Sequence, residues 1–468
     1  MATGLKPYPE YKDSGVPWLG QVPEQWRVDR PKWLFQKMDR PVRENDNIVT
    51  CFRDGTVTLR KNRRTSGFTT ALKEIGYQGI RRGDLVIHAM DAFAGAVGVS
   101  DSDGKGSPVY SVCEALPKAN AGYYAYIIRE MARSQWILAL ATGIRERSTD
   151  FRYGDFACQS VPVPPLSEQA AIVRYLDHAD RKVRHAIRAR QQLIKLLTEQ
   201  KQSIIQRAVT RGLNPDVRLK PSGVPWLGDV PEHWEVLRSK YIYHEVDSRS
   251  ATGEEKHLSM SQTLGLVPSS QVEERRLVSE SYAGAKLCER GDLVLNRLKA
   301  HLGVFAVAPE RGLVSPDYTV LRPIRRLDDQ YFEAVYRTPA CRVELRQRAK
   351  GIVQGFWRLY TDDFYNIRVP VPPADEQTHI MTQLGTTLLD MDAAIDAAHR
   401  EIDLLREYRT RLIADVVTGK LDVRNVPVPS DETDVLPEEL ESIDDVDAAD
   451  QGDDATEENS DSSTGERA

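Results

Sequence analysis

Apolar residues recur at a four-three spacing in two long stretches of the chain, one after Pro165 and one after Pro373. A spacing sustained over about five heptads is typical of a helix that pairs with another helix in a coiled coil. The pattern places these residues in the seam: Ile172, Leu176, Ala179, Val183, Ile187, Ile194, Leu197, Ile204 and Ala208 in the first stretch, and Ile380, Leu384, Thr387, Met391, Ile395, Ala398, Ile402, Leu405, Leu412 and Val416 in the second.

Residues that are suited to capping a helix stand at both ends of each stretch. Ser167 and Asp375 stand where an N-cap residue is expected, and Gly212 and Gly419 are suited to ending a helix. The sequence therefore predicts two long helices, each about 60 Å long at about 1.5 Å per residue, that form an antiparallel coiled coil. Three cations interrupt the predicted seam: Arg190, Lys201 and Arg409.

Short runs of apolar residues separated by turns fill the regions that precede the helices. Gly83-Asp84 followed by Leu85-Val86-Ile87 reads as a turn that enters a strand, and short helical stretches follow near residues 123–140 and 330–347. We therefore expect an α+β fold. The predicted order is a globular domain over residues 1–165, a long helix over 166–212, a second globular domain over 213–373 and a second long helix over 374–421.

The two halves of the chain are related by a shift of 208 residues. The matched segments include Val16-Pro17-Trp18-Leu19-Gly20 with Val224-Pro225-Trp226-Leu227-Gly228, Arg82-Gly83-Asp84-Leu85-Val86 with Arg290-Gly291-Asp292-Leu293-Val294, Val161-Pro162-Val163-Pro164-Pro165 with Val369-Pro370-Val371-Pro372-Pro373, and Glu168-Gln169 with Glu376-Gln377. Repetition in one register indicates an internal duplication. Trp18, Trp26, Trp226 and Trp234 recur within it, and we interpret them as packing residues at the start of each domain.

Charge is distributed unevenly along the chain. The net charge is −6, but residues 426–468 hold 16 acidic residues and one Arg, so the remainder carries a net charge of +9. The positive body is compatible with nucleic acid, and the acidic tail is expected to be disordered. The sequence holds five cysteines without Cys-x-x-Cys spacing and no apolar run long enough to cross a membrane, so we expect a cytoplasmic protein without disulfides.

Sequence motifs for catalysis are missing. There is no phosphate-binding Gly-x-x-x-x-Gly-Lys-Ser/Thr, no Gly-x-Gly-x-x-Gly after a strand, no Asn/Asp-Pro-Pro-Tyr/Phe and no His-Glu-x-x-His. We therefore expect a chain without a catalytic site, a metal or a cofactor of its own. A scattered Ser-His-Asp triad stays open at this point.

Three segments differ between the two halves while their surroundings match, and we take them as the candidate DNA-binding loops. A duplicated protein that recognises two sequences is expected to keep its scaffold and to vary its binding surface. Loops on a rigid scaffold are suited to such variable binding surfaces. Lys and Arg bind phosphates, whereas Asn and Arg can make two hydrogen bonds to adenine and guanine edges. The candidates are Arg60, Lys61, Arg63 and Arg64 in the first segment, His88 and Asp91 or Asn296, Arg297, Lys299 and His301 in the second, and Arg145 and Arg147 or Gln354 and Arg358 in the third. An ordinary solvated loop is the alternative for the first segment.

Together these motifs resemble the specificity subunit of type I restriction–modification enzymes over about residues 5–425. The resemblance rests on the repeated Ser-Gly-Val-Pro-Trp-Leu-Gly (residues 14–20 and 222–228), the Val-Pro-Pro-x-x-Glu-Gln joins and the ends of both helices. It implies that each globular domain is a target-recognition domain reading half of a bipartite site in double-stranded DNA, while the helices set the gap between the halves. It also implies two docked modification subunits that bind S-adenosylmethionine and methylate adenine, and ATP-dependent restriction subunits that can join them. The acidic tail is not part of the family pattern.

Two other functions compete with this interpretation. A free-standing methyltransferase or nuclease with degenerate motifs would bind its cofactor without partners. A protein–protein adaptor would show neither a two-part DNA footprint nor a steep salt dependence of DNA binding.

Overall fold

A computed structural model of the chain describes residues 4–63, 75–140, 150–262, 264–271, 282–351 and 357–429. The chain divides into two compact units, residues 1–190 with 401–468 in unit 1 and residues 191–400 in unit 2. Both boundaries fall inside the long helices, so each unit contains a part of each helix. The acidic tail beyond residue 429 lies outside the described part.

Unit 1 begins with short strands and helices followed by the first long helix. Its strands are β1 (Tyr11–Asp13), β2 (Gln21–Pro23), β3 (Arg27–Asp29), β4 (Phe35–Lys37), β5 (Val49–Cys51), β6 (Val57–Leu59), β7 (Gln78–Ile80), β8 (Leu85–His88), β9 (Val97–Val99), β10 (Gly104–Gly106), β11 (Tyr110–Ala115) and β12 (Val161–Val163), and its helices are α1 (Ala121–Arg133), α2 (Trp136–Leu140), α3 (Tyr153–Cys158) and the first half of α4 (Leu166–Arg211).

Unit 2 has the corresponding set of elements. Its strands are β13 (Leu219–Pro221), β14 (Asp229–Pro231), β15 (Glu235–Arg238), β16 (Tyr243–Val246), β17 (Leu258–Ser261), β18 (Gly265–Pro268), β19 (Lys286–Cys288), β20 (Leu293–Asn296), β21 (Phe305–Val307), β22 (Gly312–Val314), β23 (Tyr318–Pro323) and β24 (Arg368–Val371), and its helices are α5 (Asp329–Arg337), α6 (Pro339–Arg348), α7 (Thr361–Tyr365) and the first part of α8 (Ala374–Val417).

A four-stranded antiparallel sheet lies in each unit, with the order β4-β11-β8-β9 in unit 1 and β16-β23-β20-β21 in unit 2. The remaining ribbons also correspond, since β5 pairs with β6 and β17 with β18. The prediction of a mixed helix-and-strand fold with long helices is confirmed.

The repeated Arg-Gly-Asp segment forms the turn that starts the central strand. Gly83 and Gly291 have φ angles of 93° and 89°, a left-handed conformation that glycine adopts without strain. The buried Asp84 accepts a hydrogen bond from the Arg81 amide, and Asp292 accepts one from the Glu289 amide. Each turn therefore delivers a strand whose first three residues are apolar and buried into the core at a fixed position.

The repeated Glu-Gln pair joins each long helix to the globular part before it. The Gln169 side chain accepts from the Asn120 amide at 2.8 Å and donates to the Pro164 carbonyl. In unit 2, Gln377 accepts from the Asp328 amide at 2.9 Å and donates to the Pro372 carbonyl. Both glutamines are buried, so these bonds fix the direction in which each helix leaves its domain.

The far end of the other long helix packs against each globular part. The Tyr123 hydroxyl donates to the Val417 carbonyl in unit 1, and the Tyr331 hydroxyl donates to the Val209 carbonyl in unit 2. Helix α8 ends at Val417, earlier than the predicted residue 421, and Gly419 follows with a φ of 81°. Trp26 and Trp234 are buried at these junctions, which agrees with a packing role.

The three cations in the predicted seam each have a carboxylate partner on the other long helix. Within unit 1, Arg190 forms an ion pair with Glu401, and Arg409 forms one with Asp180. Within unit 2, Lys201 forms an ion pair with Asp392. In unit 1 the paired residue numbers rise on α4 as they fall on α8, so these two helix segments run antiparallel. Thr387, predicted in the seam, is exposed, and Leu388 is buried in its place.

Candidate nucleic-acid interface

The first candidate segment lies on the 3₁₀ turn that follows β6 in unit 1. Arg60 donates from Nε to the Thr50 hydroxyl at 3.3 Å, whereas Lys61 is exposed. Arg63 is held by an ion pair with Asp54 at 2.8 Å and stacks over the Phe52 ring. Lys61 is thus the most exposed of the described cations in this segment.

Asp54 stays ionised although it is partly buried. Burial by itself raises the pKa of this carboxyl, but the Thr56 amide and the Arg63 guanidinium outweigh it and leave the pKa below its ordinary value. The Arg63–Asp54 pair is therefore charged at neutral pH and holds the end of the first segment against the β5–β6 hairpin.

The second candidate segment begins where β8 ends. The His88 ring packs against Tyr110 with 5.0 Å between centroids, and its Nδ1 accepts from the Asp91 amide at 3.2 Å. Burial lowers the pKa of His88, although the nearby Asp91 carboxylate opposes that effect. The imidazole is therefore neutral at pH 7 and orders the turn.

The β5–β6 hairpin turn joins the first two segments into one surface. Arg53 donates to the Asp91 carboxylate at 2.9 Å, and the adjacent Asp54 pairs with Arg63. The hairpin and the two segments carry four cations and two carboxylates, and we call this surface the unit 1 patch: Arg53, Arg60, Lys61, Arg63, Asp54 and Asp91. A cationic surplus of this kind suits a phosphate backbone.

In unit 2 the second segment follows β20, and Asn296 occupies the position that corresponds to His88. Its Oδ1 accepts from the amides of Leu298 and Lys299, at 3.1 Å and 3.2 Å. The acceptor half of this amide is thus committed to the backbone, and the two-bond contact with adenine predicted for Asn296 would have to compete with these bonds. Lys299 itself is exposed.

Arg297 and Arg358 bind the same turn and bring the second and third segments together. Arg297 donates to the backbone carbonyls of Pro316 and Asp317, both at 2.9 Å. Arg358 donates to the Asp317 carboxylate, also at 2.9 Å. Arg297 therefore has a scaffolding role in this structure, while its charge stays at the surface.

An aromatic and cationic cluster adjoins this turn. The His301 ring meets Trp357 edge-on at 5.1 Å, and the Arg346 guanidinium lies 5.0 Å from the centre of the same Trp ring. Burial and the charge of Arg346 lower the pKa of His301, so this imidazole is neutral at pH 7. We call the following residues the unit 2 patch: Arg297, Lys299, His301, Arg346, Trp357 and Arg358.

Four predicted DNA-binding residues lie outside the described residues: Arg64, Arg145, Arg147 and Gln354. The residues that follow the third segment are described in both units. The Phe151 amide donates to the Ala89 carbonyl, and the Leu359 amide donates to the Arg297 carbonyl. The chain thus returns from the third segment directly beside the end of the central strand.

Sequence reasoning missed Arg53, Asp317 and Arg346. Arg53 and Arg346 have only their charge as a signal, since the hairpin turn and helix α6 that carry them were not singled out. Asp317 stands in Ser315-Pro316-Asp317-Tyr318, which corresponds to Ser107-Pro108-Val109-Tyr110 in the first half. That difference between the halves was the one available signal for it.

The described residues show neither a metal-like cluster nor a membrane-spanning helix. Within them, no group of three or more His, Cys, Asp or Glu side chains could hold a metal ion. No described helix is long and apolar enough to cross a bilayer. All five cysteines are unpaired thiols, and burial raises the pKa of Cys288 to about 11.

Two curated proteins of Methanocaldococcus jannaschii are similar to this chain in sequence. The MjaX specificity subunit of a type I restriction enzyme is 20% identical over 441 residues, which cover 87% of this chain and 96% of the relative. The MjaVIII specificity subunit is 23% identical over 287 residues, which cover 57% of this chain and 63% of the relative. No family model matches the sequence. The predicted resemblance to specificity subunits is confirmed by these relatives.

A solved chain from a study of complex assembly and conformational transition in the type I R-M system has a similar fold. It aligns with a TM-score of 0.63 and 18% identity, covering 86% of this chain and 99% of that chain. The likeness shows that this chain has a fold similar to that of the solved chain over most of its length.

Proposed function

We propose that this chain is the sequence-specific DNA-binding subunit of a type I restriction–modification complex. The observation that carries the proposal is its near full-length similarity to a specificity subunit, with 96% of that relative covered. The chain supplies recognition and scaffolding and has no catalytic site of its own. Methylation and cleavage belong to partner subunits.

Each globular domain reads one half of a bipartite DNA site. The equal strand orders of the two sheets support an internal duplication, and the candidate surfaces follow the same strand in each unit. The side chains at these surfaces differ, with Asp91 in one unit and Lys299 at the corresponding position in the other. The two half-sites therefore differ in sequence.

The two long helices set the gap between the half-sites and dock two modification subunits. Helices of 46 and 44 residues with cross-helix ion pairs and antiparallel segments support a coiled coil. The modification subunits bring S-adenosylmethionine and the adenine-methylating site. ATP-dependent restriction subunits join this core to cleave DNA.

Mapping methylated adenine across the genome of a host tests the proposal. The host expresses the full chain with the modification subunits of its proposed complex, and a matched host expresses those subunits without the chain. We expect methylated adenines within one two-part motif of fixed gap in the first host and their loss in the second.

Two results would contradict the proposal. Methylation by the purified chain alone with S-adenosylmethionine would identify an enzyme. Methylation in the first host without a two-part motif, together with DNA binding by the full chain that is insensitive to salt, would favour an adaptor that binds proteins.

A further inference from the structure

A cleft of about 310 Å³ opens in unit 1 between helix α1, the turn that follows β8 and helix α8. Its volume is at the lower end of the range for small-ligand sites, which is about 300–1,000 Å³. Glu130 is the one carboxylate among its described lining residues. Four arginines also line this cleft, and we call it the Arg129 cleft: Arg53, Arg129, Arg133 and Arg409.

The guanidinium of Arg129 lies against the β5–β6 hairpin turn and is partly buried. A Cβ atom at Gly55 would lie 2.6 Å from its Nη1 and 2.7 Å from its Cζ, so the missing side chain at Gly55 makes room for the guanidinium. Burial and the charge of Arg409 lower the pKa of Arg129, which shows that this position is unfavourable for a cation. A bound anion would stabilise the charge of Arg129 at this position.

The charges around the Arg129 cleft leave Arg129 without a carboxylate of its own. The other three lining arginines have carboxylate partners, in the pairs Arg53–Asp91, Arg133–Glu130 and Arg409–Asp180. The remaining carboxylates that act on the lining residues each interact with a cation outside the cleft, in the pairs Asp54–Arg63, Asp415–Lys420 and Asp177–Arg181. Asp180 is also shared with Arg184. Among the described residues, no carboxylate lies within ion-pair distance of Arg129, so the cleft keeps a positive excess.

Unit 2 offers an internal comparison, because Arg337 stands at the position that corresponds to Arg129. Arg337 also contacts the corresponding hairpin turn, where it donates to the Gln262 carbonyl at 2.9 Å. Its guanidinium pairs with Glu333 at 2.8 Å, one turn earlier on the same helix. Unit 1 has Ala125 where unit 2 has Glu333. Both copies therefore keep the arginine and its hairpin contact, but unit 1 lacks the carboxylate that neutralises it.

We propose that the Arg129 cleft binds a phosphate group, with Arg129 as its main partner. A guanidinium has five N–H donors in a planar fork that matches phosphate oxygens, and a phosphate can accept from several guanidinium groups at once. The backbone of DNA is one source of this phosphate, since Arg53 belongs to both the unit 1 patch and the cleft. A free phosphate-bearing ligand is the other. The proposal does not rest on DNA recognition.

Isothermal titration calorimetry of the full chain with inorganic pyrophosphate, at constant ionic strength, tests the proposal. Ala125→Glu gives Arg129 the carboxylate that Arg337 has in unit 2, so it should weaken pyrophosphate binding by about tenfold or more. Ala125→Gln fills the same space without a charge and should leave the affinity within about twofold of that of the natural chain.

A second position tests the opposite wall of the Arg129 cleft. Thr410 lines it from helix α8 and is exposed, so substitution there leaves the core intact. Thr410→Asp should weaken pyrophosphate binding, whereas Thr410→Asn should not. Thermal unfolding confirms that each variant is folded. Absence of pyrophosphate binding by the natural chain would overturn the proposal, and so would equal affinities for the charged and neutral variants at both positions.

DNA that contains the recognition site identifies the source of the phosphate. If the DNA backbone occupies the Arg129 cleft, saturating DNA should abolish pyrophosphate binding, and Ala125→Glu should reduce the slope of log DNA affinity against log salt by about one. If a free ligand occupies it, DNA and pyrophosphate should bind together, and the slope should stay unchanged. A chain that binds pyrophosphate but no DNA would contradict the proposed function and support the phosphate site.

Discussion

His88 and Asn296 stand at corresponding positions and perform the same local task with different chemistry. Each side chain accepts a hydrogen bond from the backbone amide three residues further along the chain. The donor is the Asp91 amide in unit 1 and the Lys299 amide in unit 2. A side chain that orders its own turn has less capacity to read a base. The exposed cations next to these turns are therefore the better candidates for contact with DNA.

Lys299→Ala should weaken binding of the full chain to DNA that contains its site by about tenfold, because an exposed phosphate contact is lost. The slope of log affinity against log salt should fall by about one for the same reason. Fluorescence anisotropy at several salt concentrations measures both quantities.

Lys240→Ala is the matched control for this substitution. Lys240 is an exposed cation of the same unit, and it precedes β16, which pairs with the far end of β23. Lys299 follows β20, whose last residue pairs with the beginning of β23. An equal loss of affinity in both variants would mean that general charge, and not the unit 2 patch, binds the DNA.

At the scale of elements, two adjacent carboxylates at the start of helix α5 act in opposite directions. Asp328 is the N-cap, and its side chain accepts from the Tyr331 amide at 3.2 Å. Burial, the charge of Asp328 and that of Asp292 raise the pKa of Asp329 to about 6. The folded state prefers Asp329 protonated, so the stability it gives is fully present below pH 4 and is lost as the pH rises through 6.

Asp329→Asn should therefore raise the melting temperature at pH 7.5 by about 2–4 °C, or about 1 kcal/mol after allowance for partial exposure. The gain should vanish near pH 3, below the ordinary pKa of Asp, where the carboxyl is protonated in both states. Thermal unfolding of the full chain across this pH range measures the difference. Asp328→Ala should lower stability by about 1 kcal/mol through loss of the cap, and a destabilising Asp329→Asn at pH 7.5 would contradict the assignment.

The sequence predicted the elements well because their signals are local. Heptad spacing indicated both long helices, and the glycine turn before Leu85 indicated the central strand. The partners of the seam cations were beyond prediction, since Arg190 and Glu401 are 211 residues apart. For the same reason Arg297 was interpreted as a DNA contact, because nothing near it in sequence reveals the carbonyls of Pro316 and Asp317 that it binds.

At the scale of the whole molecule, the long helices give a prediction that distinguishes a spacer of fixed length from a simple linker. Seven residues are inserted after Leu197 and seven after Ile395, at positions that face each other by the pairing of Lys201 with Asp392. The gap in the methylated motif should lengthen by about three base pairs, since seven residues add about 10 Å. Each half-site should keep its sequence.

Genome-wide methylation in a host with the lengthened chain measures both quantities. Insertion in one helix alone is the control, and it should disrupt pairing and lower methylation. An unchanged gap, or a half-site of altered sequence, would contradict the proposal that the helices set the gap between the half-sites.

The bond between Tyr123 and Val417 joins two parts of unit 1 that are synthesised far apart in time. Unit 2 is one continuous segment, whereas unit 1 combines residues 1–190 with residues from 401 onward. The portion synthesised first therefore waits for the portion synthesised last, and Tyr123 and Trp26 lack their α8 neighbours until translation is nearly over. A chain released after residue 400 would contain every residue of the second unit and would lack part of the first, which reverses the usual vectorial sequence of folding.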